Sequence, residues 1–548
     1  MLLRLREGNK IFSFKIPFFS RSVRSNLFCI KVFEMAISDA VGFERISRVV
    51  GYKLTKGNFS ETSPNLPQSI AVLAEANDAN QSINFATPVQ ITSAAQAGSV
   101  FGFGSPAHII SRILFPTNGG GRIGGIPVWI YPQAKAGGSV AKAQTVTVTG
   151  TATAGGTHTV VVGGRYSVDG ASYDINVAAG DTATQIAVKI ANAVNNVLSS
   201  PVIASETSPA ANVTTLTNKW SGLTSNGTNV SIDTGNSTLG LTYVVATTAA
   251  GSGTPDVTAA LNLFGNQWNT IVVNSYDLST ANTGIIEAFN GIPDPTTPTG
   301  RYAAIIFKPF IALTGSVEDS NVGTPNVLLT DADKLNCTIA VCPAPLSKGF
   351  AMEAAANMCT LFARICQDTP NLDVEGLNYP DMPPAIGVPL MTSYDVRDAI
   401  VKLGMSTVDV VAGVYQVQDF ITTYHPIGEV PPQYRYCRNL DLDFNVRFGY
   451  YLLEQTNVVN HQIANDGDTV TATGVIKPKT WKGILFAYAD SLAQNGLIAD
   501  PKFMQVSITV GISSINPDRL ETFFRYKRTG VARILSTTAE AGFNFGNV

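Results

Sequence analysis

The chain has 548 residues, a formal charge of −3, 45% hydrophobic residues and only 14% charged ones. That length allows three or four domains with large cores. Charge this sparse, below the usual ~25%, excludes a global basic field for nucleic acid and suits a chain that hides surface in a permanent oligomer. No apolar run reaches the ~18 residues of a membrane helix. Cys29, Cys337, Cys342, Cys359, Cys366 and Cys437 are scattered without a CxxC pair. In a chain this long they read as reduced, buried thiols.

Residues 1–34 carry Arg4, Arg6, Lys10, Lys15, Arg21, Arg24 and Lys31 against Glu7 and Glu34. Lys15 and Arg21 break the apolar stretch that a signal peptide needs. The segment reads as an upstream extension before a start at Met35, with a genuine basic arm as the alternative. Residues 35–60 are polar but β-capable. Ile46, Arg48, Val50, Tyr52 and Leu54 alternate onto one side of an extended chain. Neither side is cleanly apolar, so such a strand pairs with another sheet's edge or stays disordered.

Residues 61–135 have α/β character. Ser69–Glu75 reads as a short buried strand. Ser105 and Pro106 open a helix as N-cap and first helical residue, with Ile109, Ile110, Ile113 and Leu114 on its apolar face. Ile126–Tyr131 reads as a core strand. Residues 136–254 change composition to Thr, Val, Ala, Gly and Ser. Strands are expected at Thr145–Thr149, Thr157–Val162, Ser172–Val177, Val213–Thr217, Asn229–Ile232 and Leu241–Ala246. A helix capped by Asp181 carries Ile186, Ile190, Val194 and Val197 as its stripe. Linker-like flanks make this segment an inserted α+β domain.

Residues 255–425 return to alternating strands and helices, which predicts a largely parallel sheet covered by helices. The strands are expected at Asn269–Val273, Ala303–Phe307, Cys337–Val341 and Val408–Val414. A helix over about 348–367 buries Met352, Ala355, Ala356, Cys359, Phe362, Ala363 and Cys366. Residues 426–530 are α+β, with helices at about Asp441–Gln462 and from Pro478 to near Gly496. A strand over Val506–Ile512 and a strand-like stretch from Leu520 follow. Residues 531–548 form a polar, Gly-containing tail.

The motifs of chemistry are missing. Gly119–Gly124 fits GxGxxG but leads from helix to strand, the reverse of the nucleotide-binding context. Gly102–Ala107 enters a helix without a clear preceding strand and reads as tight turns. There is no GxxxxGK[ST] and no GxSxG elbow. His108, His158, His425 and His461 are isolated and read as surface or turn residues, without zinc spacing. Asn465–Asp468 reads as a turn, and Arg525–Arg528 as a solvated or interface strand. No catalytic, cofactor or metal residue is assigned, so the residues alone favour an assembly protein over an enzyme.

Several segments in fixed order resemble one family. They are FGFGSPAHIISRILFPTN (101–118) with IPVWIYP, TVTVTGTATAGGTHTVVVGGRYSV (145–168) with VAAGDTATQIAVKIANAVN (177–195), and GSGTPDV (251–257). VAGVYQVQDFITTY (411–424) and WKGILFAYADSLAQNGLIAD (481–500) with NPDRLE complete the set. Over residues 36–530 the chain resembles the tail sheath proteins of Mu-like contractile phages. The resemblance implies an α/β sheath core (61–135 and 255–425), an outer inserted α+β domain (136–254) and a C-terminal α+β domain (426–530) carrying exchanged strands. The N-terminal arm (35–60) and C-terminal arm (531–548) would each add a strand to a neighbour. Ile46, Arg48, Val50, Tyr52, Leu54, Phe523, Tyr526, Val531 and Ile534 are the expected exchange positions.

The implied partners are further copies of the chain in a helical homo-oligomer, the tail tube protein, and the baseplate and tail terminator proteins. Nucleic acid and membrane are not among them, and no cofactor is implied. The implied place is the virion tail, after assembly in the host cytoplasm. Four to six donated backbone hydrogen bonds contribute about 0.5–1.5 kcal/mol each. Ordering the arm costs about 1–2 kcal/mol per residue, so burial of side chains such as Tyr52 must tip the balance. The alternatives are the sheath of a phage-derived injection particle and, in another class, a tail adhesin or depolymerase. The latter needs paired carboxylates in an aromatic cleft, and the insertion has few of either.

Overall fold

The computed structural model describes residues 4–7, 10–13, 65–116, 122–206, 211–276, 293–294, 299–301, 307–319, 338–426, 428 and 433–542. The chain divides into two units, 1–60 and 61–548. In the first, Arg4–Glu7 pairs antiparallel with Lys10–Ser13. The exchange positions Ile46, Arg48, Val50, Tyr52 and Leu54 lie outside the described residues, as do Cys29, Cys337 and Gly119–Gly121.

The second unit is a mixed α/β, multidomain structure with several sheets. Its largest sheet has six strands in the order Ile339–Pro343, Ile311–Ser316, Ile271–Asn274, Ile70–Glu75, Val128–Gln133, Val89–Ile91. All neighbours run parallel except the last pair. Ile70–Glu75, Ile271–Asn274 and Ile339–Pro343 are buried along their whole length, which is why they read as largely apolar runs. The helix Ala351–Asp368 covers one face, and all seven residues of its expected stripe are buried. Glu353, Asn357 and Thr360 are buried as well. The helix Pro106–Leu114 packs beside it, every residue but Arg112 buried, with Ser105 accepting from the His108 N–H as N-cap.

Several expected elements shift. Four of the five residues of the expected strand Ala303–Phe307 lie outside the described residues, and Phe307 is not in a strand. A strand the pattern did not mark, Ile311–Ser316, hides its signal in Thr314, Gly315 and Ser316. Gly315 is there because a Cβ would sit 1.6 Å from the Ala351 carbonyl oxygen, where the long helix begins. The single strand Val408–Val414 is a hairpin, Thr407–Val411 with Val414–Asp419, turning at Ala412 and Gly413 with φ of 50° and 80°. The helix cap at Asp181 moves to Thr182, which forms a capping box with Gln185. Asp181 instead accepts from Ala178 N and pairs with Lys189 at 2.5 Å.

His108 and His158 are not surface residues; each is 1% exposed. His108 Nδ1 accepts from Gly104 N at 3.1 Å, and burial lowers its pKa to about 4. His158 Nε2 donates to the Ser237 carbonyl, so Nδ1 accepts from the Tyr243 hydroxyl at 2.6 Å. The His158 partners lie 79 and 85 residues away and leave no local signal.

The 136–254 segment builds two antiparallel sheets around the helix Ala183–Asn195. One runs Val202–Glu206, Val213–Asn218, Ala143–Gly150, Leu241–Ala249, and the other Asp174–Val177, Gly156–Val162, Val230–Asp233. Val146, Val160, Ile175, Ile186, Ile190 and Leu216 belong to a core of its own. The segment nevertheless reaches into the main core. Trp220 is fully buried there, 6.1 Å from the Phe350 ring. Arg165 pairs with Glu353 at 2.9 Å and with Asp381 at 2.8 Å.

Open parallel sheets bind ligands in the crevice beyond the carboxyl ends of their strands. Here protein fills the end of the central strand. Thr224 donates to Glu75, Trp220 Nε1 donates to Thr224, and Ser221 Oγ donates to Asp78 at 2.6 Å. The Gly102–Ala107 turn is equally closed: at Gly104 (φ 84°) a Cβ would lie 2.1 Å from the Ser200 carbonyl oxygen. That leaves no room for a phosphate against the turn.

Two outcomes follow from these contacts. Removing Arg165 leaves Glu353, 2% exposed, as an uncompensated buried anion. Arg165→Ala should therefore cost about 3–5 kcal/mol in a urea titration, and a loss under about 1 kcal/mol would contradict the account. Burial, eased by the Thr224 hydrogen bond and reinforced by the Asp78 charge, raises Glu75 from 4.5 to about 8. Stability from such a group is complete below about pH 4.5 and is lost as the pH rises through 8. Glu75→Gln should raise the unfolding free energy at pH 9, by on the order of 5 kcal/mol, and change it little at pH 5. Equal effects at both pH values would contradict that assignment.

Candidate assembly interface

The C-terminal region starts from the helix Cys437–Asn457, four residues earlier than its pattern suggests, and the helix Pro478–Gln494. Pro478 sits in the first turn, where its missing N–H costs nothing. The expected strand Val506–Ile512 is split: Pro501–Ser507 is a short helix capped by Asp500, and only Thr509–Ile512 is extended. Asp500 followed by Pro501 was the overlooked helix start. Leu442, Val446, Trp481, Leu485, Leu492, Met504 and Ile508 form a third core.

The β-structure here is fragmentary. Among the described residues, Thr509–Ile512 pairs only with Leu520–Phe523, Ile498–Ala499 only with Lys527–Arg528, and Gln462–Ile463 only with Val475–Ile476. Each ladder there has two strands, so among the described residues each strand has one edge without a strand partner. Such ladders are marginal alone, and open edges invite another strand.

Burial alternates along the last stretch. Leu520, Thr522, Phe524, Tyr526 and Arg528 are partly buried, and Glu521, Phe523, Arg525 and Lys527 are exposed. The inward residues line a cleft of about 630 Å³ with Tyr434, Phe444, Tyr450 and Trp481. Trp481 Nε1 donates to Thr522 Oγ1 at 3.1 Å, and the Tyr450 ring lies 5.4 Å from Phe524. The outward side is apolar in patches: Phe523 is 54% exposed, Val506 86% and Ile515 93%.

Ion pairs fasten this stretch to its own subunit. Arg528 grips Asp443 through Nε at 2.8 Å and Nη2 at 2.5 Å, and Tyr526 OH donates to the same carboxylate at 2.7 Å. Burial alone would lower the Arg528 pKa, but the Asp443 bonds and charge hold it above the usual value. Arg438, 2% exposed, donates to the Thr529 carbonyl and hydroxyl and to Asn371 O. Arg533 donates through Nε to Glu375 at 2.5 Å and through Nη2 to Asp373, with its cation 3.7 Å from the Tyr436 ring centre.

Of the expected exchange positions in this half, Phe523 faces outward on an open two-stranded ladder. Tyr526 turns inward onto Asp443, and Val531 is partly buried. Ile534 is 90% exposed, and Leu535 beside it 84%. The structure brings Arg528 to Asp443 and Arg533 to Asp373 and Glu375, pairings that sequence reasoning missed. Their partners lie 85 to 160 residues away, and only the RYKR cluster hinted at them. The expected buried thiols at Cys342, Cys359, Cys366 and Cys437 are buried and free, and Asn465–Asp468 is a turn in which Asp468 accepts from Asn465 N.

In class, the chain is similar to the contractile tail sheath proteins. Among curated proteins, the Mu-like prophage FluMu tail sheath protein of Haemophilus influenzae is 24% identical over 445 residues, covering 79% of this chain and 84% of that one. No family model matches the chain. Among solved structures, the sheath tail protein of Desulfitobacterium hafniense gives a TM-score of 0.42 at 10% identity, covering 88% of this chain and 100% of that one. The anti-feeding prophage helical sheath in its contracted state gives 0.46 at 11% identity, covering 91% and 100%. The resemblance to Mu-like tail sheath proteins read from the sequence extends over most of this chain and of the Haemophilus influenzae protein.

Proposed function

We propose that this chain is the structural subunit of a contractile tail sheath, which polymerises around an inner tube and drives it through the host envelope on contraction. The observation that carries this reading is the set of two-stranded C-terminal ladders with open edges. A neighbour's extended arm completes such a ladder, satisfying backbone groups and covering outward residues such as Phe523. The N-terminal arm, 35–60, supplies one strand through Ile46, Val50, Tyr52 and Leu54. The C-terminal arm supplies the other. The discontinuous core, 61–135 and 255–425, and the C-terminal domain, 426–530, form the inner wall. The 136–254 insertion decorates the outside. The tube, baseplate and tail terminator proteins are its partners in the virion tail. The work of contraction comes from the free-energy difference between two packings of assembled subunits, so no nucleotide is consumed.

Removing residues 35–60 tests this. The purified full chain should form tubes or rings by negative-stain electron microscopy. The deletion variant should sediment as a monomer with an unchanged circular-dichroism spectrum. Ordered tubes from the deletion variant would contradict arm exchange.

A further inference from the structure

The C-terminal tail is held to its own subunit by very little. After Thr529, whose N–H reaches the Leu497 carbonyl at 3.4 Å, no backbone hydrogen bond joins residues 530–542 to another of the described residues. One side chain does the fastening. Arg533 is 14% exposed against Asp373 at 3% and Glu375 at 20%. From residue 534 through 542 every position is exposed, beginning with the apolar pair Ile534 and Leu535. Those nine residues span roughly 30 Å when extended.

The socket is built for a guanidinium. Asp373 and Glu375 follow the long helix Ala351–Asp368 of the α/β core, and Tyr436 is the N-cap of the helix Cys437–Asn457. Two carboxylates take the fork while the ring takes the face, a geometry that lysine cannot copy. Arg438 also lies near Asp373, but its donors go to Thr529 and Asn371. Without Arg533 the socket holds carboxylates that repel one another. Burial, set against the attraction of Arg533 and helped by the charges of Asp373 and Asp419, already brings Glu375 up to about 7.

We propose that Arg533 roots the C-terminal arm in its own subunit, so that the segment handed to a neighbouring copy begins at Ile534. Resting on the strand-exchange reading above, it moves the start of the donated piece from residue 531 to 534. It also assigns Arg533 as a positioning residue. Tension on the arm then passes through Asp373 and Glu375 into the α/β core, and not only into the terminal ladders.

The test is a charge exchange read by electron microscopy and sedimentation, with wild type as reference. Arg533→Glu and Glu375→Arg should each reduce polymer at least tenfold. Placing both substitutions on one chain should restore it. A 1:1 mixture of the two single variants should stay unassembled, because each arm meets only its own socket. Assembly of the mixture would overturn the proposal, since it would mean that Arg533 crosses to a neighbour. Failure of the double variant to recover, although folded by circular dichroism, would overturn it as well.

Two truncations keep the question open to measurement if the charge variants do not fold. Ending the chain after Arg533 should leave the monomer's melting temperature unchanged and abolish polymer. Ending it after Thr529 should also lower the melting temperature by a few degrees. Equal melting temperatures, or polymer from the first truncation, would overturn the proposal. If wild type itself forms no polymer, the sheath reading fails instead, and the melting temperatures still decide whether Arg533 is rooted.

Discussion

A backbone amide in an extended strand needs a partner on both sides of the ladder or access to water, and this constraint separates the two ends of the second unit. In the α/β core it is met internally by six strands, with Ile70–Glu75 and Ile271–Asn274 at the centre. In the C-terminal region it is not, because each described ladder stops at two strands. The inner strands of the core have a partner on each side, whereas under the proposed strand exchange the C-terminal ladders gain theirs from a neighbouring copy. Exposed apolar residues lie in the same region: Val506, Ile515, Phe523, Ile534 and Leu535.

Arg438, through Asn371, and Arg533, through Asp373 and Glu375, tie the C-terminal region to the core. Within the region Asp443 and Arg438 hold successive points of the last strand at Tyr526, Arg528 and Thr529. Charge-assisted bonds of this kind are about twice as strong as neutral ones. They constrain direction as well as position. The same economy appears in the 136–254 segment, where Arg165 and Trp220 join a separately cored region to the main body. A chain with few charges has placed several of them at junctions.

Much of this fold was legible in the sequence. Buried parallel strands announce themselves as apolar runs, hence Ile70–Glu75 and Ile271–Asn274 within two residues. The 3–4 spacing over Ala351–Asp368 and the Ser105–Pro106 start were equally plain. Failures came where tertiary contact overrides local pattern. Ile311–Ser316 keeps a glycine for helix approach. The hairpin at Ala412–Gly413 turns inside one continuous β-prone run. The buried histidines rely on partners as far away as Tyr243 from His158. Phe523 was an exchange position only through the family resemblance, and Arg533 is a single residue in a polar tail whose socket is about 160 residues distant.

The central claim is that the C-terminal ladders acquire a further strand only in the polymer. Hydrogen–deuterium exchange at single-amide resolution, on monomer and assembled tubes of the full chain, measures this directly. The account predicts that amides on the free edge of Thr509–Ile512 or Leu520–Phe523 exchange rapidly in the monomer and become strongly protected on assembly, while those of Ile70–Glu75 are slow in both. Edge amides already protected in the monomer, or equally fast in both states, would contradict it.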